Sequence, residues 1–384
     1  AEGEAEVQAA TRSAGRARVG ARDREKRPER GNVSDIGGLG HLRILQVDAF
    51  TQRPFEGNAA AVVLEPGELS EAGMLLIARE MNLSETAFLL PASSPAADLR
   101  IRWFTPTAEV DLCGHATVAT FHAAMEEGRL APGLFRMECR VGVLPVALER
   151  DAGGRPVVKM GLPIPVLEDL HAATCRITEV LGIETDDLDR RLPVQKTGEW
   201  MLVPAAGLDV LRRIRPDFRA MRLLMAELGL GSAVVLTTET VEARSAVHLR
   251  MFAPGFGIEE DPVTGSAQGP VAVYLIAHRL IAPVIAAQES LSYTAEQGDC
   301  LGRPGRIGVE VALSAGRATG ITITGRAVTV LAGTIRIPAI LTYGRESSAI
   351  DGYGSTSNWR SRSPVRLIER PGGGGCRRSP RAGA

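Results

Sequence analysis

Two short stretches carry residue types that can do chemistry. "DLCGHAT" (111–117) joins Cys113, Gly114 and His115, and "DPVTGSA" (261–267) joins Asp261, Thr264, Gly265 and Ser266. In each, a glycine permits a tight turn, and the small residues after it let the backbone approach a ligand. Each reads as a helix start, whose free N–H groups and positive dipole end suit a carboxylate or phosphate. His115 is a candidate proton carrier or donor to substrate. Asp261, restricted by Pro262, is a candidate to orient a neighbour or hold a proton. Cys113 is either an acid/base thiol, because a helix N-terminus lowers thiol pKa, or a small packing residue. The bland alternative for both stretches is a pair of ordinary capped helices, with Ser266 as a capping residue.

Glu85 in "MNLSETAFLL" (81–90) is a third candidate, at the joint between a helix-like and a strand-like run. A carboxylate beside apolar walls can be held protonated near neutral pH, and one such group can collect a proton at one carbon and return it at another. "EGNAAAVV" (56–63) makes Asn58 a turn residue or a wall of the site. Glu259 and Glu260 read as solvated, and "GRPGRIGVEV" (302–311) as a structural turn leading into a strand.

The elements that must position these residues show in the apolar spacing. Residues 59–64, 86–90 and 99–104 read as strands, 69–82 as a helix with Ser70 as its cap, and 115–128 as a second helix. The pattern then recurs. "EMNLSETAFLL" (80–90) matches "ELGLGSAVVLT" (227–237), and "RWFTPTAEVDLCGHATVA" (102–119) matches "RMFAPGFGIEEDPVTGSAQGPVA" (250–272). The repeat predicts two similar domains, over 41–168 and 169–340, with the ligand in the cleft between them. The chemistry is not repeated: Glu85 aligns with Ser232, His115 with Ser266 and Cys113 with Thr264.

Bulk composition narrows the class. A chain of 384 residues, 45% apolar and with a net charge of −1, can bury two ordinary cores and has no bias toward nucleic acid or a membrane surface. No apolar run reaches the length of a membrane helix. The five cysteines (113, 139, 175, 300, 376) are scattered, with no zinc spacing, and fit a reducing cytoplasm. No GxGxxG, Walker A or HExxH pattern calls for a nucleotide or a metal. Residues 1–40 are expected to be a disordered extension or an over-long gene start, and 341–384 a disordered basic tail.

As a set, "VDAFTQRPFEGNAAAVV", "NLSETAFL", "RWFTPTAEVDLCGHAT", "FAPGFGIEEDPVTGSA" and "EQGDCLGRPGRIGVEV" resemble the PhzF-like phenazine-biosynthesis family of the diaminopimelate-epimerase superfold. The resemblance covers residues 42–340. It implies an α+β fold of two pseudo-symmetric domains, each a mostly antiparallel, barrel-like sheet around a central helix, with the last strand returning to the first domain. It implies a homodimer and an isomerase without cofactor or metal, acting on a small carboxylate-bearing molecule such as trans-2,3-dihydro-3-hydroxyanthranilate. It places the family's acid/base glutamate at Glu85, its site histidine at His115, its aspartate at Asp261 and its serine at Ser266. Gly114, Gly265, Thr264, Asn58 and Cys113 are the accompanying substrate-binding candidates. Two other readings compete: a cysteine-dependent racemase or epimerase using Cys113, and a non-catalytic small-acid binder on the same scaffold.

Overall fold

The computed structural model describes residues 39–170, 174–281 and 289–338. The two expected tails lie outside the described residues, apart from Leu39 and Gly40, which already belong to the first strand.

The first half runs β1 (Leu39–Ala49), β2 (Asn58–Val63), α1 (Glu71–Met81), β3 (Glu85–Leu90), β4 (Leu99–Phe104), β5 (Glu109–Val110), α2 (Gly114–Glu126), β6 (Gly133–Cys139), β7 (Gly142–Arg150) and β8 (Pro156–Leu162). After β9 (Glu168–Asp169) and α3 (Thr174–Leu181) come β10 (Gln195–Thr197), β11 (Trp200–Pro204), α4 (Leu208–Arg213), α5 (Phe218–Leu228), β12 (Ser232–Thr237), β13 (Val247–Ala253) and β14 (Ile258–Asp261). The chain continues through α6 (Gln268–Ala277), β15 (Ser290–Gln297), β16 (Gly305–Ser314), β17 (Arg317–Gly325) and β18 (Ala327–Pro338).

Pairing repeats along with the sequence. In the first half, β2–β3 is parallel, β3–β4 and β4–β5 antiparallel, β4–β6 parallel, and β6–β7 and β7–β8 antiparallel. The second half gives the same order for β11–β12, β12–β13, β13–β14, β13–β15, β15–β16 and β16–β17. Each parallel step needs a crossover, and helices supply it. The halves are stitched by antiparallel pairing of β8 with β17 and of β18 with β1. The result is a mixed, mostly antiparallel α+β sheet.

Local chemistry sets where each crossover stops. Ser70 caps α1 by accepting from the Gly73 N–H at 3.1 Å, and the helix ends on Asn82 in the left-handed region (φ 50°). Asp217 caps α5 in the same way, and that helix ends on Gly229 (φ 67°). Three residues after each stop a strand begins, at Glu85 and at Ser232.

Helix α2 is buried on every side from Gly114 to Met125, so it has no amphipathic stripe and must lie inside the sheet. Its glycine, alanines and threonines let β1, β2, β3, β8 and β18 close around it. Thr117 and Thr120 satisfy their hydroxyls on the carbonyls of Cys113 and Ala116. Phe121 anchors the helix, edge-on to Phe135 at 5.6 Å; its burial contributes roughly 1.5–3 kcal/mol. Helix α6, also largely buried, packs on β11, β16 and β17.

Candidate active site

A cavity of about 980 Å³ opens between the ends of these two buried helices. Glu85, Cys113, Gly114, His115, Asp261, Thr264, Gly265 and Ser266 all line it. Its apolar wall includes Val110, Leu112, Trp200, Met251, Phe256 and Ile258, and no lysine or arginine is among the lining residues. Asn58 lies behind the lining, hydrogen-bonded to Asp261.

Glu85 enters as the first residue of β3, beside Ala60 of β2. His115 is the second residue of α2, and its Nε2 lies 3.1 Å from Glu85 Oε2. Both side chains are buried. Burial opposes a charged imidazole, yet the Cys113 sulfur and the Glu85 carboxylate raise His115 well above its ordinary range. Burial and the nearby Glu85 charge push the Cys113 thiol up to about 11. It is therefore neutral at physiological pH.

Asp261 ends β14 opposite Met251, as Val110 in β5 lies opposite Trp103. Each half therefore contributes a carboxylate that the other lacks: Glu85 against Ser232, and Asp261 against Val110. The Asp261 carboxylate accepts from Asn58 Nδ2 at 2.8 Å and from the Thr264 hydroxyl. Burial pushes it up to about 6, with Glu85 adding to the rise and His115, Thr264 and Asn58 opposing it. Asn58 also donates to the Val263 carbonyl at 2.9 Å and accepts from Ser84 at 3.3 Å, tying the approach to Glu85 to the loop after Asp261.

Sequence reasoning missed several supports. Buried Gln297 accepts from the Thr264 N–H at 2.9 Å and donates to the Asp261 carbonyl at 2.7 Å. Nothing in its local sequence marks it, because it arrives from the end of β15. Arg303, in the supposedly plain turn, holds the 56–57 backbone and Asp48. Glu260 is not solvated as expected. It grips Arg250 with two bonds of 2.8 and 2.7 Å, and Arg250 lies 5.0 Å over the Phe252 ring. Arg102, Glu109 and Phe104 form the same device, with bonds of 2.7 and 2.6 Å and the same 5.0 Å stacking. The repeated Arg-x-Phe was the available signal; it fastens β5 and β14, the strands that lead into the two site loops.

The second loop also departs from expectation. The residues after Gly265 make a further turn before α6 begins at Gln268, and Ala267 rather than Ser266 occupies the cap position. The Ser266 side chain is therefore not committed to the helix.

The family model for phenazine biosynthesis-like proteins (PhzC-PhzF) matches residues 47–333. The chain belongs to the PhzC-PhzF family. It is 36% identical over 295 residues to an uncharacterized isomerase, YddE, of Escherichia coli O157:H7, covering 74% of this chain and 95% of that one. It is 34% identical over 291 residues to the uncharacterized isomerase YfhB of Bacillus subtilis, with 74% and 95% covered. The crystal structure of a PhzF-family protein from Bacillus anthracis superposes with a TM-score of 0.70 at 32% identity, covering 77% of this chain and 99% of that one. This PhzF-family chain is thus an isomerase. Among its described residues, no helix is long and apolar enough to cross a membrane.

Proposed function

We propose that this PhzF-family isomerase moves a proton between two carbons of a small carboxylate-bearing metabolite, with Glu85 as the acid/base that carries it. The supporting observation is the buried Glu85–His115 contact in an apolar-walled cavity. Glu85 takes a proton from one carbon, the electron pair shifts along the conjugated system, and Glu85, its proton exchanged with solvent, protonates a second carbon. His115, held protonated, stabilises the negative charge that passes from carboxylate to substrate. Asp261, braced by Asn58 and Thr264, orients the substrate from the opposite wall.

With no lysine or arginine in the lining, backbone N–H groups are the proposed grip on the substrate carboxylate. The first turn of α2 and the backbone of Gly265 and Ser266 offer them from two sides. The cysteine route is weaker, because the Cys113 thiol is held neutral and faces a threonine in the repeat rather than a second thiol.

The test uses trans-2,3-dihydro-3-hydroxyanthranilate in D2O, with product followed by mass and absorbance. Wild type is expected to give product carrying carbon-bound deuterium, and Glu85→Gln to give neither product nor deuterium. Turnover that survives in Glu85→Gln removes the shuttle. No turnover by folded wild type removes this substrate.

A further inference from the structure

A second cavity, of about 530 Å³, shares no lining residue with the isomerase site. It lies where the 50–56 loop after β1 meets the 242–244 loop before β13, against β16 and β17. Four arginines line it, Arg53, Arg244, Arg306 and Arg326, together with the carboxylates of Glu56, Glu242 and Asp299. The carboxylates are already occupied. Both Asp299 oxygens accept from Arg306 at 3.1 Å. Glu242 accepts from Arg306 Nε at 2.9 Å on one oxygen and from Arg244 Nε at 2.7 Å on the other. Glu56 accepts from the Thr51 hydroxyl at 3.2 Å. Three of the arginines are not occupied in the same way. Arg244 donates through Nε alone, Arg326 reaches Asp151 only through Nε at 3.4 Å, and Arg53 stays 3.7 Å from Glu56. Among the described residues, the outer nitrogens of these three guanidinium groups have no hydrogen-bond acceptor.

Phe50 links this cavity to the isomerase site. It lines the cavity, is buried, and holds a left-handed backbone (φ 62°) that a bulky side chain rarely adopts. Its N–H donates to the Arg326 carbonyl at 2.7 Å, and its carbonyl accepts from the Arg306 N–H at 2.9 Å. The ring reaches the other way: a β-carbon on Gly265 would lie 2.9 Å from Phe50 Cζ. Two arginines of the cavity therefore hold the backbone of the residue whose ring supports the Gly265–Ser266 loop.

We propose that this second cavity binds a small, multiply charged phosphate-type anion, and that binding steadies the Gly265–Ser266 loop through Phe50. Guanidinium forks match the oxygens of a phosphate group, which accepts hydrogen bonds from several sides. Thr294 and Thr324, also in the lining, add hydroxyl donors. Three like charges gathered on one cavity repel one another, and a ligand with two or more negative charges relieves that repulsion. The bound anion ties the 50–56 loop to the 242–244 loop and so fixes the segment that carries Phe50. The anion site does not depend on the role assigned to Glu85.

The test titrates the full-length chain with inorganic pyrophosphate by calorimetry at fixed ionic strength, and follows amide hydrogen exchange of residues 263–267 by mass spectrometry. Wild type is expected to bind one anion per chain and, when loaded, to exchange these amides at least about threefold more slowly. Arg244→Ala combined with Arg326→Gln should weaken binding at least about tenfold. Arg176→Met, which lies outside the cavity, should bind as wild type does. Phe50→Leu should bind the anion and lose the protection at 263–267. Melting curves establish that each variant is folded. A folded wild type that binds no pyrophosphate, a double variant that binds as wild type does, or binding that leaves 263–267 unprotected overturns the proposal. Displacement of pyrophosphate by an equal concentration of sulfate would mark an adventitious ion only and overturns it too.

Discussion

Gly114 and Gly265, the matching glycines of the two halves, meet across the site: a β-carbon placed on Gly114 would lie 3.2 Å from the Gly265 α-carbon and 3.3 Å from the Ser266 nitrogen. The two loops are packed backbone to backbone. Any side chain at 114 must push the 265–266 loop away from α2. Gly114→Ala is expected to keep the fold and to raise KM more than it lowers kcat, because the N–H groups proposed to grip the substrate move apart. Gly265→Ala is harsher, since its β-carbon would lie 2.9 Å from both the Ile323 and Phe50 side chains. A loss of roughly 1–3 kcal/mol in urea unfolding is expected. A neutral Gly265→Ala would contradict the tight packing.

The Arg250–Glu260 pair should behave as an internal fastening and not as a surface ion pair. Arg250 is buried, and beyond Glu260 it donates to the carbonyls of Leu211 and Ile214 at 2.7 and 3.1 Å. Arg250→Met leaves a half-buried carboxylate and two carbonyls without their donor. The expected cost in denaturant unfolding is about 3–5 kcal/mol. Arg250→Met combined with Glu260→Gln should recover part of it. Arg176→Met, which breaks an exposed pair with Glu227, is the control and should cost far less. Equal costs at the two sites would show that the fastening is not structural.

Much of this arrangement was legible in the residues, and the limits have physical causes. The repeat alignment rested on apolar spacing and helix stops. Both survive in three dimensions because Asn82 and Gly229 end their helices in the same left-handed conformation. The asymmetric Glu85 stood out because its counterpart is a serine. Asp261 pairing where the first half has Val110 was hidden, since three extra residues precede it and the Pro254–Phe256 turn absorbs the shift. Glu260 was misjudged because a charged side chain in a short acidic run looks solvated until its arginine is seen across the strand. Gln297 was invisible because its partners are more than thirty residues away.

Cys113 and Glu85 give opposite expectations under the two catalytic readings. Cys113→Ser should retain at least about a tenth of wild-type deuterium incorporation. Glu85→Gln should lose a factor of at least about 10². Both are measured as initial rates at saturating substrate. A Cys113→Ser enzyme as inactive as Glu85→Gln, with an unchanged melting curve, would restore the thiol route.

Asp261 should leave its mark on stability against pH. An unfolded aspartate titrates near 3.8, whereas burial brings the folded group to about 6. The folded state therefore holds this proton more tightly. The resulting stabilisation is fully present below pH about 3.8 and is lost as pH rises through about 6. Asp261→Asn cannot titrate. The stability of wild type relative to this variant should therefore fall between pH 4 and 7, by at most about 3 kcal/mol. Urea unfolding of both proteins at one-unit intervals measures it, and the difference cancels every other titrating group that the substitution leaves alone. A difference that stays flat across that window, or that grows with pH, would mean that Asn58 and Thr264 hold the carboxylate ionised against the cost of burial.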